Sequence, residues 1–332
     1  MIESPILSTY LHIMANKDKC WKADLPTIAS SLVTLAKQAG DMIVSAKPMS
    51  SDSETKLNSI DLVTETDQAV EAMISKTLSA KYPTFKFMGE ETYKPGMKVT
   101  NAPTFVVDPI DGTTNFVHRY PYVSVSMGFT VNREPVVGVV YNPFTGHMYT
   151  GIKGEGSYLT EYKGASAGGE NAPRRQRLPL KQPPEPLKEL SEALLAVEWG
   201  SDRSASNWQT KIKTWERLGK AKEEGGAMVH GARGFGGAAL NLCAVASGSI
   251  DIYWEGGCWA WDVCAGWVIL KEAGGVIVDG NPGNWEIPIS LDHRKYLAVR
   301  AVAEDEEENA NGQRKIVEEF WSFVVGSMDY EH

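Results

Sequence analysis

Two aspartates, Asp108 and Asp111, enclose Pro109 and Ile110 and are followed by Gly112 and Thr113 in the segment DPIDGTTNFVH, residues 108–118. The apolar run FVV leads into it, so a strand is expected to end at Asp108. Pro109 and Gly112 would then bend the chain sharply enough for Asp111 and Thr113 to converge. Carboxylate, hydroxyl and carbonyl oxygens packed into so short a stretch suit hard divalent cations such as Mg²⁺, which avoid sulfur ligands. Asp108, Asp111 and the backbone carbonyl of Ile110 would supply them. A local Asx-turn is the other reading, and it accounts for one aspartate rather than both.

Further carboxylates stand at other element ends. Glu90 and Glu91 follow the short run FMG, where Glu90 would either approach the same cations and orient a water or belong to a surface pair. Asp262, in WDVCAG at 261–266, precedes an apolar helical run, so it either caps that helix or coordinates a second ion. In DLVTETD, residues 61–67, Thr66 or Asp67 is placed to open a helix, which puts a carboxylate beside unpaired backbone N–H groups.

The elements that must hold these groups are read from periodicity. Apolar residues recur at helical spacing from Leu25 to Val44, with Pro26 near the start, and again through Val70, Met73, Ile74 and Leu78. Lys47–Lys56 reads as a polar break. FVVDP, VSVSMGFTV, EPVVGVVYNP, HMYTGIKG and GSYLT are short β-branched runs bounded by turn formers, a sheet with hairpin-like connections. Residues 161–189, rich in Gly and Pro and carrying the basic run RRQR, read as an exposed insertion, with an acidic partner for RRQR as the less common alternative. Beyond it, strands at Ala193–Glu198, SIDIYWEG and VIVDG alternate with helices at Asn207–Gly219, Gly237–Ser247, VCAGWVILKEAG and IVEEFWSFV. EDEEEN, 304–309, reads as a solvated turn or helix start. The alternation implies an α/β chain of layered sheets with helices packed against them.

Composition narrows the function. The 332 residues carry 33 Lys and Arg against 42 Asp and Glu, a formal net charge of -9, which disfavours a nonspecific grip on nucleic acid or an anionic membrane. A small anionic substrate stays open, because bound cations reverse the local field. Cys20, Cys243, Cys258 and Cys264 match neither a zinc knuckle nor a dithiol motif and are expected as free thiols, Cys243 and Cys264 buried in helices. With no long apolar run and no basic-then-apolar leader at the N-terminus, a cytoplasmic location is expected. Ser124, Ser126 and Ser157 lie in or near strand-like runs without a nucleophile elbow and are expected to pack or turn; His118 is expected to make a structural hydrogen bond rather than act as a general base, and His230 has no spaced ligand set for zinc.

In order and spacing, DLVTETD, GEE at 89–91, DPIDGTTNFVH and WDVCAG resemble the inositol monophosphatase family, within the lithium-sensitive, magnesium-dependent phosphomonoesterases. The resemblance runs from about Leu25 through Gly275 and leaves 161–189 outside the usual pattern. It implies an αβαβα arrangement, with an α+β portion at 1–190 and an α/β portion at 191–332 completing the site. It also implies two to three Mg²⁺ ions held by Glu90, Asp108, the Ile110 carbonyl, Asp111 and Asp262. Water would be activated at Glu90 and Thr113 with support from Asp67, and backbone groups of Gly112 and Thr113 would meet the phosphate. Ala238 and Glu255, with Asp111 and Asp262, would face the polyol, and Lys56 would lie near a metal-site loop. Trp259 and Ala260 replace the His-Cys pair common in animal members, which places Trp259 as a possible substrate wall. The implied activity is hydrolysis of a small phosphate ester, foremost inositol monophosphate, by a homodimer. Related readings are a fructose 1,6-bisphosphate or adenosine bisphosphate phosphatase and a fungal quinate-pathway relative; a noncatalytic metabolite-binding protein is the reading from another class.

Overall fold

The computed structural model describes residues 5–46, 53–55, 62–162, 172–203, 205–303 and 312–330, without side chains for 5–23, 53–55, 62–63 and 205. Lys56, the side chain of Cys20 and EDEEEN therefore lie outside what is described. In chain order the elements of the first half are α1 (Pro5–Ser45), β1 (Ser53–Thr55), β2 (Leu62–Thr64), α2 (Glu65–Lys81), β3 (Lys86–Gly89), β4 (Thr104–Asp111), α3 (Thr113–Val117), β5 (Ser124–Val131), β6 (Glu134–Asn142), β7 (His147–Ile152), β8 (Gly156–Glu161) and β9 (Arg174–Arg177). Those of the second half are β10 (Leu194–Val197), α4 (Ala205–Gly219), β11 (Gly231–Arg233), α5 (Ala238–Ser247), β12 (Ile252–Gly256), α6 (Ala260–Glu272), β13 (Val276–Asp279), β14 (Lys295–Val299) and α7 (Gly312–Phe323).

Strands β3 to β9 form one sheet in sequence order, parallel only between β3 and β4, and the second sheet runs β11-β10-β12-β14-β13. In the second sheet β10 is parallel to β11 and β12, while β14 runs antiparallel to β12 and β13. Helices α1 and α2 cover one face of the first sheet, α5 and α6 fill the space between the sheets, and α4 and α7 lie on the outer face of the second. The architecture is thus α/β in five layers, αβαβα, as the resemblance implies. Three apolar clusters fill the stack, one on each outer face and one that runs from sheet to sheet through α5 and α6; in α1, Ile28, Leu32 and Ile43 are fully buried, each contributing about 2 kcal/mol by its removal from water.

Helix α6 can sit on the first sheet because that sheet offers it a row of glycines. Gly128, Gly138 and Gly151 are direct neighbours across β5, β6 and β7. A Cβ on Gly138 would lie 2.2 Å from the Ala265 carbonyl oxygen, and one on Gly128 2.3 Å from the Cys264 sulfur. The absent side chains set the depth of the helix and hence the position of Asp262 in its first turn.

Several local expectations need correction. Helix α1 contains Pro26 within it rather than starting there. Ser53–Thr55, inside the expected polar break, pairs with β2. The RRQR run is an edge strand paired with β8, with Arg175 stacked 3.8 Å over the Tyr158 ring and Leu178 buried just after it; Leu187, farther along the expected insertion, is buried in the core of the second sheet. An exposed, charged strand at a sheet edge resists pairing with other chains, which suits a basic run. Helix α2 is capped by Thr64, not by Thr66 or Asp67.

Candidate active site

The bend expected after Asp108 is a bulge inside β4. Asp108 is opposite Ser126 and Asp111 is opposite Ser124, so three steps on one strand match two on the other. In a regular strand, residues three apart point to opposite faces; the extra residue restores Asp108 and Asp111 to the same face. Pro109 falls in the bulge, where its missing N–H leaves no ladder bond unmade. Gly112 follows at φ 90°, and a Cβ there would approach the Tyr122 carbonyl oxygen to 2.9 Å.

The two aspartates then use their oxygens differently. Asp108 Oδ1 accepts the Ile110 N–H at 2.9 Å, a local Asx bond. Asp111 accepts from Ala238 N and Ala239 N at the start of α5, each at 3.0 Å, and from Ser124 Oγ at 3.3 Å. The Asx reading therefore describes Asp108 alone. Ser124 serves Asp111 rather than packing only.

Asp67 stands at the third position of α2. Its carboxylate accepts the Thr64 N–H at 2.9 Å and the Thr64 hydroxyl, closing a capping box. Its other oxygen accepts Thr113 Oγ1 at 3.1 Å, and the same hydroxyl lies 3.1 Å from the Ile110 carbonyl oxygen. With a single proton, Thr113 donates to one of them at a time. At the end of β3, Glu71 holds the chain by accepting the Glu91 N–H at 2.7 Å, while the Glu90 and Asp108 carboxyls share a hydrogen bond. Asp262 accepts the Trp259 N–H at 2.6 Å, so its cap role is real.

These groups meet at a cavity of about 390 Å³ whose lining includes Glu90, Asp111, Gly112, Thr113, Ala238, Glu255 and Asp262. Asp108, 2% exposed, lies beneath it. Burial pushes Asp108 well above the usual carboxylate range, reinforced by the charges of Glu90, Asp111 and Asp262, and burial with Glu90 does the same to Asp262. Burial raises Asp111 to about 7 against the pull of its backbone N–H donors. Asp67 is pushed up to about 6 by burial, with Glu91 adding to the rise and the Thr64 bonds opposing it.

Among the described residues no group of three His, Cys, Asp or Glu side chains is arranged to hold a metal ion as it stands. Like charges in a poorly solvated site repel one another until a cation neutralises them. The donor set fits a hard divalent cation in chemistry: oxygen-only, buried and mutually repelling around one cavity. Glu90, Asp108, the Ile110 carbonyl, Asp111 and Asp262 are the groups that would hold it.

Trp259 lies off the cavity. Its ring stacks on Trp261 at 5.4 Å and carries the Arg294 guanidinium 3.6 Å above it, beside a separate small pocket. His118 and His230 are exposed, and Cys243, Cys258 and Cys264 are buried free thiols. Two residues outside the expected site set contribute. Glu198 Oε1 accepts from Phe235 N at 2.7 Å, Gly236 N at 3.0 Å and Asn241 Nδ2 at 2.9 Å, shaping the glycine turn before α5. Asn115 donates to the carbonyls of Tyr122 and Phe235 at 2.9 and 2.7 Å, tying that turn to the central motif. The signal for Glu198 was a carboxylate ending an apolar strand, the same signal that marks Asp108.

Comparison with known proteins agrees with this arrangement. A family model described as the inositol monophosphatase family matches residues 24–322. Inositol monophosphatase 2 of Saccharomyces cerevisiae is 47% identical over 281 residues, covering 83% of this chain and 87% of the relative. Quinic acid degradation cluster protein x of Neurospora crassa is 38% identical over 342 residues, covering 92% and 96%. The structure of inositol monophosphatase from Anabaena matches with a TM-score of 0.62 at 27% identity, covering 83% of this chain and 91% of that one. With a family match over most of its length, the chain belongs to the inositol monophosphatase family, and its chemistry is the hydrolysis of a phosphate monoester.

Proposed function

We propose that the protein is a Mg²⁺-dependent phosphatase acting on a small polyol phosphate, foremost inositol monophosphate. The observation that carries this reading is the meeting of Glu90, just past β3, Asp111 at the end of β4 and Asp262 on α6 at one cavity, with Asp108, also on β4, beneath. When bound, Mg²⁺ supplies the positive charge that eases ionisation of water and offsets charge on the phosphate and leaving oxygen.

The chain's own groups do the rest. Glu90 takes the proton of the attacking water. Engagement of the Ile110 carbonyl elsewhere leaves Thr113 to give its proton to Asp67, so that the Thr113 oxygen turns its lone pairs to the water. Backbone groups of Gly112 and Thr113 meet the phosphate. Asp111, Ala238, Glu255 and Asp262 face the polyol, and Asp262 stands by the leaving oxygen. The family-implied homodimer belongs to the same reading.

A substrate panel with Mg²⁺ tests it: release of inorganic phosphate from inositol 1-phosphate, fructose 1,6-bisphosphate and 3′-phosphoadenosine 5′-phosphate. The highest kcat/KM is expected on inositol 1-phosphate. A clear preference for either bisphosphate would replace the substrate while leaving the chemistry in place.

A further inference from the structure

Lys211, on α4, is 1% exposed, a degree of burial that lysine tolerates only with partners. Its ammonium donates to the carbonyls of Trp199 and Gly256, each at 2.9 Å. Those carbonyls lie at the ends of β10 and β12, and Gly256 directly follows Glu255. One N–H of the ammonium is left over from these bonds.

The ammonium and the Glu255 carboxylate flank the same glycine. A Cβ built on Gly200 would stand 2.9 Å from Lys211 Nζ and 3.9 Å from Glu255 Oε1. The Glu255 charge is the foremost influence keeping Lys211 protonated against its burial. On its other side Glu255 accepts the hydroxyl of Tyr253, whose burial keeps it a donor at any working pH. Opposing both is Glu198, whose charge adds to the burial that pushes Glu255 up to about 7.

We propose that Lys211 is a positioning residue for Glu255: seated behind the cavity wall, it holds that carboxylate charged and aimed at the cavity, and so sets the preference for a leaving group rich in hydroxyls. The inference rests on the polyol-phosphatase reading and goes beyond it, since Lys211 does not line the cavity or touch the substrate. A charged carboxylate that accepts a phenol O–H, with an ammonium close by that is tied to the carbonyl of the next residue, accepts hydrogen bonds from vicinal hydroxyls more strongly than a neutral or mobile one.

The test compares Lys211→Met with the wild type on inositol 1-phosphate and on phenyl phosphate, whose leaving group offers no further hydroxyls, with Tm measured alongside. The variant is expected to lose at least about 10-fold in kcat/KM on inositol 1-phosphate, mostly in KM, and less than about 3-fold on phenyl phosphate. Equal losses on both esters would mean that Lys211 only ties two loops together, and no loss on either would give it no role; each overturns the inference. Should Lys211→Met fail to fold, Tyr253→Phe removes one donor to Glu255 and must show the same split in smaller degree, an equal or absent loss again overturning the inference. A wild type that hydrolyses phenyl phosphate but not inositol 1-phosphate would instead sink the polyol reading, and this inference with it.

Discussion

The Asp111 carboxylate receives the backbone N–H of Ala238 on one oxygen and that of Ala239 on the other, each at 3.0 Å. One side chain thereby joins the bulged strand of the first sheet to the helix layer between the sheets. Because the cavity lies at this seam, anything that shifts the layers changes the site.

Asp111→Asn separates the two duties of that carboxylate. The amide keeps one acceptor and strands one N–H, but it also removes a charge that burial disfavours, since Asp111 is raised to about 7. The opposed effects predict a modest change in Tm without metal, whereas kcat falls at least about 100-fold and the Tm gain on adding Mg²⁺ shrinks. Full activity with an unchanged Mg²⁺ response would remove Asp111 from the metal set.

The raised carboxylates give the protein a pH signature. A carboxyl whose folded-state pKa exceeds its unfolded value stabilises the fold below the unfolded value and loses that contribution as pH rises through the folded one. For Asp67, at about 6, and for Asp111 and Glu255, at about 7, the loss runs from roughly pH 4 to pH 7. The same ionisation readies oxygens for a cation. The gain in Tm on adding Mg²⁺ is therefore expected to grow between about pH 5 and pH 8, and a gain independent of pH would contradict the assignment.

Gly138→Ala tests the seating of α6. The new methyl would stand 2.2 Å from the Ala265 carbonyl oxygen, and neither backbone can yield without moving the helix. A loss of about 1 to 3 kcal/mol is expected, with reduced kcat because Asp262 rides on that helix. Wild-type Tm by calorimetry would show that the layers do not meet there.

Glu198→Ala leaves Phe235 N, Gly236 N and Asn241 Nδ2 without their acceptor. The expected cost is about 2 to 4 kcal/mol, with a higher KM as the glycine turn loosens. Unchanged Tm and KM would show that water takes over the three donors.

The sequence made much of this legible because strand and helix periods survive in short runs: β4 to β8 and helices α4 to α7 appear where apolar spacing puts them. The α1 start was misread because Pro26 favours a first turn yet is accommodated inside a helix. The bulge at Pro109 looked like a strand end because a missing N–H marks both. Glu198 carries the strand-end signal, but the N–H groups it serves belong to a distant turn, and Lys211 is silent because its importance comes from carbonyls of distant turns, which no local pattern announces. Trp259 looked like a wall by its place beside WD, but stacking on Trp261 and Arg294 takes it elsewhere.

The most direct measurement is phosphate release from inositol 1-phosphate by the wild type, Asp108→Ala and Asp262→Ala, each titrated with Mg²⁺. Turnover by the wild type that vanishes on chelation and returns with Mg²⁺, with both variants down at least about 1,000-fold, is the expected result. Near wild-type turnover in both variants, or turnover indifferent to chelation, would contradict a carboxylate cluster that works through bound cations.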